Sequence, residues 1–245
     1  MTDRVEELRR NLATVQHRIT AACAAAGRDP AEITLIVVTK YFPVSDVVAL
    51  ADLGVTDIGE NKDQEAAAKV AELPPAVRER LTVHFIGQLQ TNKARSVARY
   101  ADAVHSVDRS KLVRALDKAT RAARDAGERT PYLPVLVQVD LGEGAQAGRG
   151  GAHPDEVERL AEEVAATEHL RLRGVMAVAP LGLDEDGTRR AFERLAAHAE
   201  TVRRIDPAAT WISGGMSGDL EIAVAAGATH LRVGTAILGS RPVGR

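Results

Sequence analysis

The feature that most constrains the fold is an alternation of two kinds of segment along the chain. Short runs rich in β-branched residues alternate with longer stretches rich in Ala, Glu and Arg, in which apolar residues recur with helical spacing. The short runs predict eight strands, at residues 33–39, 56–58, 82–86, 103–107, 135–141, 174–179, 210–212 and 230–233. Helices are predicted between them at 44–53, 62–72, 91–99, 109–126, 154–168, 187–205 and 220–226, and an extra helix precedes the first strand at 2–26.

Eight strand–helix units in 245 residues predict an α/β fold, a (β/α)₈ TIM barrel with an extra N-terminal helix. An open doubly wound sheet is the alternative. The chain repeats one strand–helix unit and has no change of pattern that would mark a second domain, which favours a closed barrel. We therefore expect residues 1–245 to form a single domain. The loop at 142–151 contains five glycines and is expected to be mobile at the functional end of the barrel.

The composition restricts the partners and the cellular location expected for the protein. Apolar residues make up 45% of the chain and the net charge is −2, which argues against nucleic-acid and anionic membrane partners. Membrane spans and signal peptides are not expected, because apolar runs stay below about 18 residues and the N-terminus is charged. Cys23 is the single cysteine and is expected to be inert helix packing. These features predict a cytoplasmic protein.

Function in such barrels sits at the carboxyl ends of the strands, so the polar residues there are the candidates. Lys40 directly follows the apolar end of the first predicted strand. Burial at such a place favours the neutral amine, which is the form that attacks aldehydes. Two alternatives stay open for Lys40 taken alone, because a strand-end lysine can also extend to water or pair with Glu60.

A phosphate site is indicated after the seventh and eighth predicted strands, which are the usual positions for one in barrels. The seventh strand runs into a Ser- and Gly-rich turn containing Ser217, and the eighth ends at Arg232 before Gly234 and Thr235. Both turns could also be ordinary strand-to-helix connections, with Ser217 as a helix cap. The histidine spacings do not match a metal motif, and no metal site is predicted. A reactive lysine facing a phosphate site suits pyridoxal 5′-phosphate (PLP).

At these residues the chain resembles the family of pyridoxal phosphate homeostasis proteins. The matching segments occur in order along nearly the whole chain: VVTK at 37–40, IGEN at 58–61, HFIGQLQTNK at 84–93, HSVD at 105–108, GVM at 174–176, GMS at 215–217 and RVGT at 232–235. The sequence departs from the usual family pattern beside the site, at Thr39, Gln88 and Gly214. The family fold resembles the N-terminal barrel of alanine racemase.

The resemblance implies a role for seven residues, all of them in cofactor binding. Lys40 would carry PLP as a Schiff base, and Ser217 would hold the phosphate together with the backbone N–H groups of Gly234 and Thr235. The remaining implied contacts are Arg232 at the pyridine nitrogen, and Asn61 and Met176 along the ring. No residue is assigned to catalysis.

Two functions remain open at the level of sequence. One is a PLP-binding homeostasis protein with little or no turnover, which would pass PLP to apo forms of PLP-dependent enzymes. The alternative is a PLP-dependent amino-acid racemase. Arg232 would leave the pyridine nitrogen unprotonated, which weakens PLP as an electron sink, but alanine racemase shares an arginine at this place, so the argument does not exclude racemisation. A racemase of this fold also takes a catalytic tyrosine from a second domain, and the chain ends at Arg245 soon after the last strand. We expect a non-catalytic carrier, and a monomer.

Overall fold

The computed structural model describes residues 2–129, 131–142 and 150–240. Its eight strands are all parallel and pair in sequence order, and the eighth pairs with the first. The predicted (β/α)₈ barrel is therefore confirmed. The strands are β1 (Thr34–Val38), β2 (Asp57–Glu60), β3 (Thr82–Phe85), β4 (Ala103–Val107), β5 (Leu133–Gln138), β6 (Leu170–Met176), β7 (Trp211–Ser213) and β8 (His230–Val233).

Helices surround the barrel and follow the order that the sequence predicts. They are α1 (Thr2–Ala26), α2 (Val44–Asp52), α3 (Asp63–Glu72), α4 (Pro75–Arg78), α5 (Ala94–Tyr100), α6 (Ser110–Asp125), α7 (Val157–Ala165), α8 (Glu185–Ile205), α9 (Leu220–Ala225) and α10 (Thr235–Leu238). Short 3₁₀ turns at Pro30–Glu32, Thr91–Lys93 and Pro154–Glu156 precede β1, α5 and α7. In the part of the chain that the structure describes, no helix is long and apolar enough to cross a membrane.

The predicted boundaries shift most in β6, which begins at Leu170 rather than at residue 174. Its first residues alternate, with Leu170 and Leu172 buried and Arg171 exposed between them, which is a half-buried strand rather than helix. The helix predicted at 154–168 ends earlier, at Ala165. The short α4 was not predicted, and Pro75 fixes its first turn. The predicted loop at 142–151 lies mostly outside the described residues.

Helix α1 covers the seam where β8 closes onto β1. Its buried face repeats every three or four residues, as an amphipathic helix requires, through Leu8, Leu12, Val15 and Ile19. At its start, the Arg4 guanidinium donates to the Leu238 carbonyl over 3.0 Å. This helix therefore holds the segment after β8, which carries two of the predicted site residues. Cys23 is also buried on α1, as expected.

Candidate functional site

Lys40 lies two residues after the end of β1, at the carboxyl end of the barrel, and is half-buried. Its Nζ is 5.9 Å from the centre of the Tyr41 ring. The alternative pairing with Glu60 is wrong, because no ion pair joins Lys40 to Glu60 in the described structure, and Glu60 binds other side chains instead. Glu60 Oε1 accepts from Lys69 Nζ at 2.7 Å and from Thr39 Oγ1 at 2.7 Å. Among the described residues, Lys40 has no ion-pair partner.

Three charged side chains, Glu60, Lys69 and Glu65, hold the backbone on both sides of Lys40, and we call them the lysine clamp. Lys69 Nζ donates to the Thr39 carbonyl at 2.8 Å, immediately before Lys40. The Glu65 carboxylate accepts from the backbone N–H of Tyr41, immediately after Lys40. The clamp therefore fixes the point at which the Lys40 side chain leaves the main chain.

The backbone turns sharply at this point. Tyr41 has a φ of 70°, and no other non-glycine residue in the described ranges has a positive φ. This left-handed conformation is unfavourable for a residue with a bulky side chain, and it persists only where its surroundings enforce it. The hydrogen bond from Tyr41 to Glu65 supplies that constraint. The turn lets the chain leave the barrel mouth while Lys40 stays in it.

Glu60 is the charged group of the lysine clamp whose burial is least compensated. Its side chain is fully buried, and Oε2 has no hydrogen-bond partner in the described structure. Burial raises the pKa of Glu60, and the opposing effects of Lys69 and Thr39 do not outweigh it. The Lys69 ammonium is therefore needed to keep a carboxylate at this depth.

Arg232 lies in β8 and its guanidinium is buried in the barrel. Nη1 donates to Ser213 Oγ at 2.6 Å and Nη2 donates to the Ala177 carbonyl at 2.7 Å. Burial lowers the pKa of Arg232 to about 10, with Asp219 acting in the opposite direction. Among the described residues, Arg232 forms no salt bridge with a carboxylate. A buried cation is therefore held at the barrel end by neutral groups.

The loops that follow β7 and β8 lie against each other. Ser217 Oγ accepts from the backbone N–H of Ala236 at 3.4 Å, so Ser217 reaches the segment that contains Gly234 and Thr235. A side chain at position 234 would place its Cβ 3.2 Å from the Val38 carbonyl oxygen. Glycine at this position therefore lets the loop after β8 approach the end of β1, near Lys40.

Asn61 and Met176 complete the predicted set. Asn61 follows β2, and its carbonyl packs so closely on Gly87 that a Cβ there would lie 2.0 Å away. Met176 is buried at the end of β6, paired with Ser213 of β7. All seven predicted residues thus lie at the carboxyl end of the barrel. A neighbouring cleft of about 410 Å³ is lined by Asn61, Lys62, Asp63, Gln64, Glu65, Phe85, Gln88, Leu89, Gln90 and Lys93.

A buried histidine pair below this end was not predicted as part of the site. His84 Nδ1 lies 2.9 Å from His105 Nε2, and His105 Nδ1 lies 3.0 Å from Ser213 Oγ. On the other side, His84 Nε2 lies 2.9 Å from Asp57 Oδ1. His84 and His105 begin two of the segments that carry the family resemblance, but their contact could not be read from sequence spacing, because the residues involved come from four different strands. The described residues contain no group of three or more His, Cys, Asp or Glu arranged to hold a metal ion.

Comparisons with known proteins identify the family of this chain. The model of the family "Alanine racemase, N-terminal domain" matches residues 7–242. The pyridoxal phosphate homeostasis protein of Mycobacterium tuberculosis is 44% identical over 98% of this chain and 95% of its own length. The structure of PipY from Synechococcus elongatus with PLP bound is 31% identical, with a TM-score of 0.77, over 95% of this chain and 100% of that chain.

Alanine racemase from Corynebacterium glutamicum shares the fold at 16% identity, with a TM-score of 0.67, over 95% of this chain and 62% of that chain. The barrel, with a lysine after β1 and a buried arginine in β8, is thus a barrel of the alanine racemase N-terminal type. Within that class, this chain is more similar to the pyridoxal phosphate homeostasis protein of Mycobacterium tuberculosis, at 44% identity, than to the alanine racemase, at 16% identity. The chain belongs to the family of pyridoxal phosphate homeostasis proteins.

Proposed function

We propose that this protein binds PLP as a Schiff base on Lys40 and serves intracellular PLP homeostasis with little or no catalytic turnover. The observation that carries the proposal is the lysine clamp, which presents Lys40 at the same barrel end as the buried Arg232. The family membership and the PLP-bound PipY structure support the choice of ligand. The unit that binds PLP would be the whole chain, residues 1–245.

The residues present fit PLP by their chemistry. PLP supplies an aldehyde that an amine captures reversibly, and Lys40 is an amine without an ion-pair partner among the described residues. A guanidinium has five N–H donors, and contacts with two protein oxygens leave Arg232 able to donate to the pyridine nitrogen. The donor set therefore contains partners for both the reactive and the ring ends of the cofactor.

The remaining residues take supporting roles in the proposal. Ser217 contributes a hydroxyl for the phosphate, and Gly234 and Thr235 contribute backbone N–H groups at the start of α10. Asn61 and Met176 line the ring. The contact between Ser217 and Ala236 keeps the hydroxyl beside these amides. Phosphate and aldehyde would thus be fixed at two separate points, on β7–β8 and on β1.

Arg232 favours low turnover in this proposal without excluding racemisation. Its pKa, lowered to about 10, leaves the guanidinium protonated at neutral pH, so it would donate to the pyridine nitrogen of bound PLP and keep that nitrogen without a proton. The cofactor is then a weak electron sink. The Mycobacterium tuberculosis relative, at 44% identity, is named for homeostasis rather than for catalysis. We include in the proposal a cytoplasmic monomer with apo PLP-dependent enzymes as acceptors.

The test is covalent capture of PLP. Purified protein incubated with PLP should show the absorbance of a Schiff base, and borohydride should fix the pyridoxyl group on Lys40. Lys40→Ala should abolish both signals. Lys62→Ala is the matched control, because Lys62 lies at the same mouth with its Nζ 5.3 Å from the Tyr41 ring. Capture that survives in Lys40→Ala would disprove the assignment.

The carrier role is tested separately with the loaded protein. PLP should pass to an apo-enzyme and restore its activity, while alanine and other amino acids should racemise no faster than with free PLP. Racemisation that depends on Lys40 would support the alternative function. Failure to release PLP to any apo-enzyme would overturn the delivery role, while the assignment of the PLP-binding site would stand.

A further inference from the structure

A continuous line of side chains runs from Arg232 through the barrel interior to its opposite end. From Arg232 the contacts pass to Ser213 Oγ at 2.6 Å and then to His105 at 3.0 Å. They continue from His105 to His84 at 2.9 Å and from His84 to Asp57 at 2.9 Å. Ser213 and His105 are fully buried, and His84 is 1% exposed. Asp57 stands at the start of β2, away from the mouth.

Hydrogen-bond chemistry assigns one direction to this line. The Asp57 carboxylate can only accept, so His84 donates to it from Nε2, and a neutral His84 ring then has its lone pair on Nδ1. His84 Nδ1 then accepts from His105 Nε2, which leaves a lone pair on His105 Nδ1. That lone pair accepts the Ser213 hydroxyl proton, and Ser213 Oγ accepts from Arg232. Each donor finds one acceptor with both imidazoles neutral.

The charges at the two ends are consistent with this assignment. Burial, with His84, His230 and Arg232 nearby, lowers the pKa of His105 well below its usual value, so its ring is neutral. Burial works against the charged form of Asp57, but hydrogen bonds from His84 and Thr56 outweigh it and lower the pKa of Asp57. The line therefore joins a cation to an anion through neutral groups whose dipoles all point the same way.

We propose that Asp57, His84, His105 and Ser213 are positioning residues that hold the Arg232 guanidinium toward the cofactor and connect it by hydrogen bonds to a negative charge at the far end of the barrel. We call them the arginine relay. The inference rests on the proposed function, because it assumes that Arg232 faces PLP. Within the described residues Arg232 has no direct carboxylate partner, so the relay is its hydrogen-bonded connection to a negative charge.

The first measurement uses the apo-protein and needs no cofactor. Nitrogen-15 NMR of the histidine rings should show His84 and His105 protonated at Nε2 and unprotonated at Nδ1. A proton on His105 Nδ1 would contradict the direction of the relay and overturn the proposal. Because PLP is absent, this result is independent of the proposed function.

The second measurement removes the remote charge with Asp57→Asn and follows bound PLP. We expect the dissociation constant for PLP to rise about tenfold, as for loss of a charge-assisted hydrogen bond. The pH midpoint of the PLP absorbance change should move to lower pH, because a negative charge that favours protonation is gone. Asp102→Asn is the matched control. Asp102 precedes β4 at the same barrel end, but it binds Arg78 and the Val83 N–H.

The outcomes separate the two proposals. Equal PLP affinity and equal midpoints in Asp57→Asn and Asp102→Asn would overturn the relay. Absence of PLP binding by the parent protein would instead defeat the proposed function, while the histidine tautomers would still decide whether the relay exists.

A second variant covers the case in which Asp57→Asn does not fold. Ser213→Ala cuts the relay beside Arg232 and should also weaken PLP binding about tenfold. Where both variants fold, the double variant gives the sharper result. If the residues act as one line, cutting it twice costs little more than cutting it once, whereas independent structural effects add. Additive losses would overturn the proposal.

Discussion

The lysine clamp and the arginine relay hold the two ends of the proposed PLP site, and they manage buried charge in different ways. In the clamp, a carboxylate and an ammonium touch directly, with Glu60 and Lys69 2.7 Å apart. In the relay, three neutral side chains separate the cation Arg232 from the anion Asp57. The clamp lies on β2 and the adjoining α3, whereas the four residues of the relay come from four different strands.

The difference predicts how each region responds to the loss of one hydrogen bond. In the clamp, Glu60 Oε1 has two partners, so the Thr39 hydrogen bond can be lost while Lys69 still neutralises the charge. Among the described residues, each contact of the relay is the only hydrogen bond between its two neighbours, so one break separates the two charges. We therefore expect the clamp to control stability and the position of Lys40, and the relay to control the electrostatics around Arg232.

The largest expected effect comes from removing the cation of the clamp. Lys69→Met leaves the Glu60 carboxylate fully buried without its ion-pair partner. Loss of one partner of a buried pair costs about 3–5 kcal/mol of unfolding free energy. Urea unfolding of the apo-protein measures this loss.

The matched control for this change neutralises the orphaned acid. The double variant Glu60→Gln with Lys69→Met should recover much of the lost stability, because an amide is far less costly to bury than a charge. A Lys69→Met loss below about 1 kcal/mol, typical of surface pairs, would show that the clamp is not a buried ion pair in energetic terms.

Acidification should affect the two regions with opposite signs. Burial, followed by the charge of His84, lowers the pKa of His230 to about 3, and His230 lies next to the relay. The unfolded chain binds a proton on this histidine below about pH 6.5, while the folded protein does not until about pH 3. Stability is therefore lost as the pH falls through this window. The raised pKa of Glu60 has the reverse effect, because its folded state binds a proton first.

His230→Gln tests the histidine side of this contrast. At about pH 5 the protonation of one unfolded histidine costs about 2 kcal/mol of stability relative to neutral pH. Urea unfolding at about pH 7.5 and 5 should show that loss reduced in His230→Gln. His17→Gln on the exposed face of α1 is the control and should keep it. The charged and titratable groups around His230 are Asp57, His84, His105, Arg173 and Arg232. An unchanged pH dependence in His230→Gln would assign the loss to this surrounding set.

The two regions also differ in how far the sequence could predict them. Lys40 and Arg232 stand at the ends of apolar strands, so counting strands was enough to bring them to one end of a barrel. The relay could not be predicted in this way, because His84 and His105 become neighbours only through the register of β3 and β4. Similarly, the sequence does not distinguish Lys69 from the other charged residues on helices, because its contact with Glu60 forms only when α3 packs against β2.

The smallest expected effect compares one hydroxyl from each region. Thr39→Val removes the Thr39 contact with Glu60 and leaves Lys69 in place, so it should cost about 1 kcal/mol, as for one hydrogen bond. Ser213→Ala leaves both His105 Nδ1 and Arg232 Nη1 without their shared partner. Its cost should be greater by about 1 kcal/mol, because two buried groups become unsatisfied instead of one.

Both variants delete one buried oxygen. A difference in unfolding free energy between the two apo-proteins, measured in urea, therefore reports how many other groups depend on that oxygen. Thr39 and Ser213 are both fully buried, which removes exposure as an explanation for a difference. Equal losses would mean that the surroundings of Ser213 rearrange to satisfy His105 and Arg232. In that case the relay would share the redundancy of the clamp, and the contrast between the two regions would not hold.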